Sequence, residues 1–322
     1  MGKGFDDLRR AMFRHYGAGR YPEALDAARE AWERFPEHEA RTAYWVACLL
    51  CRVGNPDEAL RVLAAARGRG RWWGERLLTA DPDLEPLRGR PGFLRLIADC
   101  AQAHRAAQAA ARPEVLIFPP EISPSRRHPL VLALQGRGGS AAEYAPHFRS
   151  ATDQGWIVAL PQGTQLEGEG MYTWDDPEQA ERDIAWAYGE VAKTHRIAED
   201  RMLLAGVSQG GGLAIALALR GRPIPCRGFA AVVPTATIGS PGAGTPLHMC
   251  VTPDAAQRGV RGWILTGDRD PRCPQVCDLH EKLVQIGIVC QLDVLPVGHE
   301  VPADFGTRLT KALTFLAGPP QR

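Results

Sequence analysis

From residue 113 onward, short apolar runs alternate with longer helical stretches, and this alternation narrows the possible architectures more than any other feature of the chain. The runs are residues 115–118, 130–134, 156–160, 202–205, 228–233, 262–266 and 290–295. They are nearly continuous in apolar character, as expected of strands covered on both faces. Residues 179–195, 211–220, 274–286 and 303–316 have helical spacing and lie between or after them. The pattern predicts a largely parallel sheet with helices on both sides. Residues 119–129 are rich in proline and read as a turn between the first two strands.

One strand–helix junction carries chemistry. Leu203-Leu204-Ala205-Gly206-Val207-Ser208-Gln209-Gly210-Gly211-Gly212-Leu213 reads as a buried strand, a Gly-x-Ser-x-Gly turn and a small-residue helix. Such a turn pushes its central residue into a strained, exposed position. Glycines two before and two after it leave room that a Cβ would fill. The Ser208 oxygen then stands at a helix N-terminus, where free N–H groups and the helix dipole favour developing negative charge. The plainer alternative is a glycine-rich turn whose serine merely caps the helix.

Three further segments fall at the C-terminal ends of predicted strands, where open α/β sheets build their sites. Leu134-Gln135-Gly136-Arg137-Gly138-Gly139-Ser140 is a glycine-rich loop that lets backbone approach a ligand, with Gly136 lining the substrate. The Arg137 N–H, with that of Gln209, can form an oxyanion hole. Leu265-Thr266-Gly267-Asp268-Arg269-Asp270-Pro271 offers a carboxylate to orient a histidine. Asp270 is preferred for that role, with Asp268 as the turn residue. Leu295-Pro296-Val297-Gly298-His299-Glu300 places a histidine after the last strand, as general base. Trp174, in Met171-Tyr172-Thr173-Trp174-Asp175-Asp176, is a candidate wall of the acyl pocket or a core residue, with Asp175 or Asp176 capping the following helix.

The stretch after residue 112 resembles the α/β-hydrolase superfamily, and within it the phospholipase/carboxylesterase and dienelactone-hydrolase-like group. The matching residues are Asp200-Arg201, the run from Leu203 to Gly211, Gly267 to Pro271, and Gly298-His299-Glu300. The order Ser208, Asp270, His299 is the α/β-hydrolase order. The resemblance implies a doubly wound, mostly parallel α/β sheet, a serine–aspartate–histidine triad, backbone donors at Arg137 and Gln209, and no metal or cofactor. It implies cleavage of carboxylic esters or thioesters. The sequence departs from the pattern at Gln135-Gly136, where many members carry His-Gly.

Residues 1–112 are helical throughout and form a separate domain ahead of the catalytic residues 113–322. Tyr21-Pro22-Glu23-Ala24-Leu25 returns as Asn55-Pro56-Asp57-Glu58-Ala59-Leu60, an offset of 35 from Ala24 to Ala59. That is close to the period of about 34 residues in tetratricopeptide repeats, which this part resembles. Phe13, Tyr16, Tyr44 and Trp45 stand where such repeats hold large residues. Trp72 to Leu87, followed by a helix from about Pro91 to Ala111, reads as a capping unit over the last apolar face.

A formal charge of +1 over 322 residues gives no reason to expect nucleic acid or an anionic membrane as partner. No apolar stretch follows Lys3 to make a signal peptide, and no run approaches the length of about 18 residues that spans a membrane. The expected location is cytoplasmic. There the eight cysteines are expected to be thiols, including Cys48-x-x-Cys51 inside an apolar helix and Cys273 and Cys277 near the site. The expectation is a serine hydrolase acting on a small-molecule ester or thioester. The alternatives are an acyltransferase, a carrier-protein thioesterase whose helical domain docks a protein partner, and a repeat-based interaction module on a hydrolase scaffold.

Overall fold

The computed structural model describes residues 4–121, 126–242, 244–251 and 253–318. Met1, Gly2 and Lys3, and residues 122–125 at the centre of the predicted proline-rich turn, lie outside the described residues. The chain forms two compact units. The first comprises the chain up to Ala111 together with Leu166–Tyr172. The second comprises Arg112–Gln165 and the chain from Thr173 onward. No described helix is long and apolar enough to cross a membrane.

The first unit is built from α1 (Phe5–Gly17), α2 (Tyr21–Arg34), α3 (Glu39–Arg52), α4 (Pro56–Gly68), α5 (Glu75–Ala80) and α6 (Pro91–Ala110). Pro22, Pro56 and Pro91 stand in the first turns of their helices, where the missing N–H costs nothing. Gly19 and Gly54 take φ of +70° and +84° in the turns that follow α1 and α3. The repeated alanines Ala24 and Ala59 are both fully buried and let neighbouring helices approach closely. Leu25 is buried, whereas its counterpart Leu60 is half-buried. Trp73 is completely buried and donates its indole N–H to the Ala40 carbonyl at 2.8 Å. Phe13 is 48% exposed and packs edge-on against Trp45. Leu166–Gly168 and Met171–Tyr172 pair as a small hairpin whose Met171 joins this core.

The second unit contains a seven-stranded sheet. Its strands are β1 (Glu114–Phe118), β2 (His128–Leu134), β3 (Ile157–Gln162), β4 (Ile197–Val207), β5 (Gly228–Val232), β6 (Arg261–Gly267) and β7 (Val289–Leu295). The spatial order is β1-β3-β2-β4-β5-β6-β7. Only the β1–β3 pair is antiparallel, and the other five pairings are parallel. Helices α8 (Pro177–Thr194), α9 (Gln209–Arg220) and α10 (Cys273–Gln285) cover one face, with Leu130, Leu132 and Leu134 pointing into that core. Helices α7 (Ala141–Phe148) and α11 (Phe305–Leu316) cover the other, over Val131 and Ala133. All seven residues of β2 are buried, which is why its sequence lacks the polar alternation of a one-faced strand. Helix α7 begins at a capping box in which Ser140 Oγ accepts from the Glu143 N–H and a Glu143 carboxylate oxygen accepts from the Ser140 N–H.

Candidate active site

Ser208 joins β4 to α9 with φ +53° and ψ −116°, a conformation that L-residues rarely adopt. Backbone bonds hold it there. Its N–H donates to the Val232 carbonyl at 2.9 Å, and its own carbonyl accepts from Gly212 and Thr235, each at 3.0 Å. The flanking glycines are a steric requirement. A Cβ on Gly206 would lie 2.4 Å from the Gly210 carbonyl, and one on Gly210 would lie 2.4 Å from the Leu134 carbonyl oxygen. Although Ser208 occupies the N-cap position, its hydroxyl makes no capping bond. Ser208 Oγ instead lies 2.8 Å from Nε2 of His299.

His299 reaches the serine from the loop after β7. That loop is stitched to the one after β6 by the Asp268 N–H on the Leu295 carbonyl (2.8 Å) and the Arg269 N–H on the Val297 carbonyl (3.1 Å). The other ring nitrogen, Nδ1, lies 2.6 Å from a carboxylate oxygen of Asp270. An ionised Asp270 accepts only, so Nδ1 carries the proton and Nε2 is left to accept from the Ser208 hydroxyl. The second Asp270 oxygen accepts from the Arg272 N–H at 3.0 Å. Burial pushes the Asp270 pKa up. The His299 hydrogen bond and charge, with the Arg272 N–H and guanidinium, outweigh burial and hold it below the ordinary carboxylate value. Asp268 points elsewhere: its side chain is 54% exposed beside Arg269.

Gly136 and Arg137 lie in the loop between β2 and α7. A Cβ on Gly136 would come 2.7 Å from the Tyr144 hydroxyl, so this loop passes tightly over α7. Gln209 opens α9, and its N–H is one of those a helix leaves without an internal partner. The two residues are tied through their side chains. Arg137 grips Asp175 with both terminal nitrogens at 2.5 and 3.0 Å, and Gln209 Nε2 donates to the same carboxylate at 2.8 Å. Burial raises the Asp175 pKa, but the Arg137 bonds and charge, with bonds from Thr173 and Gln209, bring it below the ordinary value. Trp174 is 1% exposed and sits in the core behind the loop, donating its indole N–H to the Gln135 carbonyl at 3.1 Å.

Three participants were not singled out for these contacts by the sequence. Arg272 and Thr173 carry no motif. The sequence offers Asp175 or Asp176 as the helix cap, and Asp176 does that work, accepting from the Glu178 and Gln179 N–H groups. The adjacent acids before Pro177 were the only signal, because one residue suffices as the cap and the second is left for another partner.

Outside this cluster, Cys48, Asp81 and Asp83 bring ligand-type atoms within 4.8 Å of one another in the helical unit. The Tyr44 hydroxyl and the Cys48 thiol both donate to Asp81, and burial pushes the Cys48 pKa well up. The Asp83 carboxylate is bonded separately, accepting from the Tyr16 hydroxyl at 2.7 Å.

Neither a family model nor a curated protein matches the sequence. Solved structures do resemble the fold. An uncharacterized protein from Bacillus cereus ATCC 10987 aligns over 98% of this chain and 99% of its own, at 23% identity and a TM-score of 0.52. FphF, a fluorophosphonate-binding serine hydrolase of Staphylococcus aureus, aligns over 65% of this chain and 99% of its own, at 15% identity and a TM-score of 0.51. The S-formylglutathione hydrolase FrmB of Staphylococcus aureus aligns over 64% and 93%, at 15% identity and a TM-score of 0.50. The fold is that of the α/β hydrolases. Each residue of the Ser208–His299–Asp270 cluster follows the C-terminal end of a strand, at β4, β7 and β6, where this fold opens to ligands.

Proposed function

We propose that this protein is a serine hydrolase that cleaves carboxylic esters or thioesters through an acyl-enzyme on Ser208. The observation that carries this reading is the unbroken relay from the buried Asp270 carboxylate through His299 to the Ser208 hydroxyl, at 2.6 and 2.8 Å. His299 takes the serine proton as Oγ attacks the acyl carbonyl, then returns it to the leaving alcohol or thiol. Asp270 holds the ring in the correct tautomer and stabilises the imidazolium. The Arg137 and Gln209 N–H groups receive the oxyanion, a contribution of about 100- to 1000-fold per donor in comparable sites. Water, activated by the same histidine, then releases the acid. The chemistry needs no cofactor. Likeness in fold to the two Staphylococcus aureus hydrolases supports the reading.

Within it, residues 113–322 are the catalytic domain, and residues 1–112 are a tetratricopeptide-like helical domain suited to a protein partner. The paired alanines Ala24 and Ala59, each buried near the start of a second hairpin helix, favour that assignment. The protein acts in the cytoplasm on a small-molecule substrate.

The test is labelling of the purified protein by a fluorophosphonate probe, with the modified residue located by mass spectrometry and Ser208→Ala as control. Labelling confined to Ser208 supports the reading. A folded protein that neither labels nor hydrolyses p-nitrophenyl esters or acyl thioesters overturns it.

A further inference from the structure

The two residues proposed to donate the oxyanion N–H groups, Arg137 and Gln209, lie 72 positions apart in sequence. Their side chains nevertheless converge on a single carboxylate, that of Asp175. The Arg137 contact is bidentate, the geometry that adds direction to attraction. Asp175 has an exposure of 17% and Arg137 of 27%, so solvent reaches the pair only in part. The neighbours of Asp175 complete the arrangement. The Trp174 N–H donates to Gln209 Oε1 at 3.0 Å. Thr173 Oγ1 lies 2.9 Å from Asp175 and 3.1 Å from Gln209 Oε1, and its one proton serves either acceptor. The Gln209 amide is thus bonded at both ends.

We infer that Asp175 is a positioning residue that clamps the Arg137 loop to the start of α9, so that the two backbone N–H groups aim at one point. The inference rests on the serine-hydrolase reading above. Its physical reason is the loop itself. Gly136, Gly138 and Gly139 surround Arg137, and Gly138 takes φ +70°. A loop so rich in glycine has many accessible conformations, and its own sequence does not select one. An oxyanion donor works only when it is pre-set at hydrogen-bond distance from the place where charge develops. The Gln209 donor is held by its helix, whereas the Arg137 donor needs a tether. Asp175 supplies it from a third segment of the chain. The Arg137 guanidinium also neutralises a carboxylate that would otherwise oppose negative charge on the substrate oxygen.

The test uses Asp175→Ala, Asp175→Asn, Arg137→Ala and the Arg137→Ala/Asp175→Ala pair in the full chain. Measured quantities are kcat and KM on a p-nitrophenyl ester, the rate of fluorophosphonate labelling at Ser208, and the folded fraction by thermal unfolding. A clamp predicts that Asp175→Ala lowers kcat and labelling rate about 10- to 100-fold with KM changed less than about threefold. Asp175→Asn, which keeps one acceptor oxygen, recovers part of the loss. The paired variant is no worse than the poorer single variant, because the same tether is already cut. The clamp is overturned if Asp175→Ala keeps kcat and labelling within about twofold of wild type, or if its loss only follows the folded fraction. A wild-type protein that is folded but neither labels nor turns over ester sinks the hydrolase reading, and the clamp with it. The two failures are therefore distinguishable.

Discussion

Asp270 and His299, 29 residues apart in sequence, meet at 2.6 Å with the carboxylate side chain wholly closed to solvent. Two residues before Asp270 on the same loop, Asp268 turns its carboxylate outward. The contrast separates an acid that orients a histidine from one that does not. On the proposed mechanism, Asp270→Asn is expected to lower kcat by about four orders of magnitude, the effect of losing the tautomer-fixing carboxylate of a serine–histidine–aspartate triad. Asp268→Asn is expected to stay within a few-fold of wild type. Steady-state kinetics on a p-nitrophenyl ester decide the matter, and the reverse ranking would reassign the acid.

The same contact links stability to pH. The folded-state pKa of Asp270 lies below the ordinary carboxylate value of about 3.9. Above that ordinary value the group is ionised in both folded and unfolded chains, and its stabilisation is fully present. As pH falls past it, the unfolded chain binds the proton first, and the stabilisation drains away until the folded pKa is passed. Thermal unfolding from about pH 5 downward should therefore decline more steeply for wild type than for Asp270→Asn. Parallel slopes for the two proteins would contradict this account.

Two glycines make opposite predictions. A Cβ on Gly206 would enter the Gly210 backbone, which cannot yield without distorting the turn that carries Ser208. Gly206→Ala should destabilise the second unit by about 3 kcal/mol or more, or prevent soluble expression. Gly189 lies within α8 with open space around its missing Cβ. Gly189→Ala should stabilise by about 0.5–1 kcal/mol, because alanine restricts the unfolded chain and favours helix. Urea unfolding midpoints measure both.

In the helical unit, Trp73 combines complete burial with a hydrogen bond to Ala40, at a point where α3 and the segment after α4 meet. Trp73→Ala should cost about 3–5 kcal/mol. Limited proteolysis should then cut first within residues 1–111. A variant as resistant as wild type would show that the cavity is refilled by its neighbours.

Much of this protein could be read from local sequence. Each of the seven predicted apolar runs is a strand, and helices expected over 179–195, 211–220, 274–286 and 303–316 occur within two residues of those limits at each end. Helix α7 was not foreseen, though Ser140 and Glu143 form the capping box that announces it. Pro146 inside the helix weakened the periodic signal. Residues 166–172 carry no strand pattern long enough to detect, yet they form a hairpin that belongs to the helical unit.

The sequence by itself determined the strand–helix alternation and the sharp turn at Ser208, because each depends on neighbours a few positions away. Glycines must flank a turn with no room for a Cβ, and buried strands must be apolar on both faces. Tertiary structure alone decided which side chains share a partner. The antiparallel placement of β1, the outward turn of Asp268, and the meeting of Arg137 with Gln209 on Asp175 all depend on distances between loops that the sheet brings together. A carboxylate has no local preference that marks its distant partner, so its role becomes visible only when the chain has folded around it.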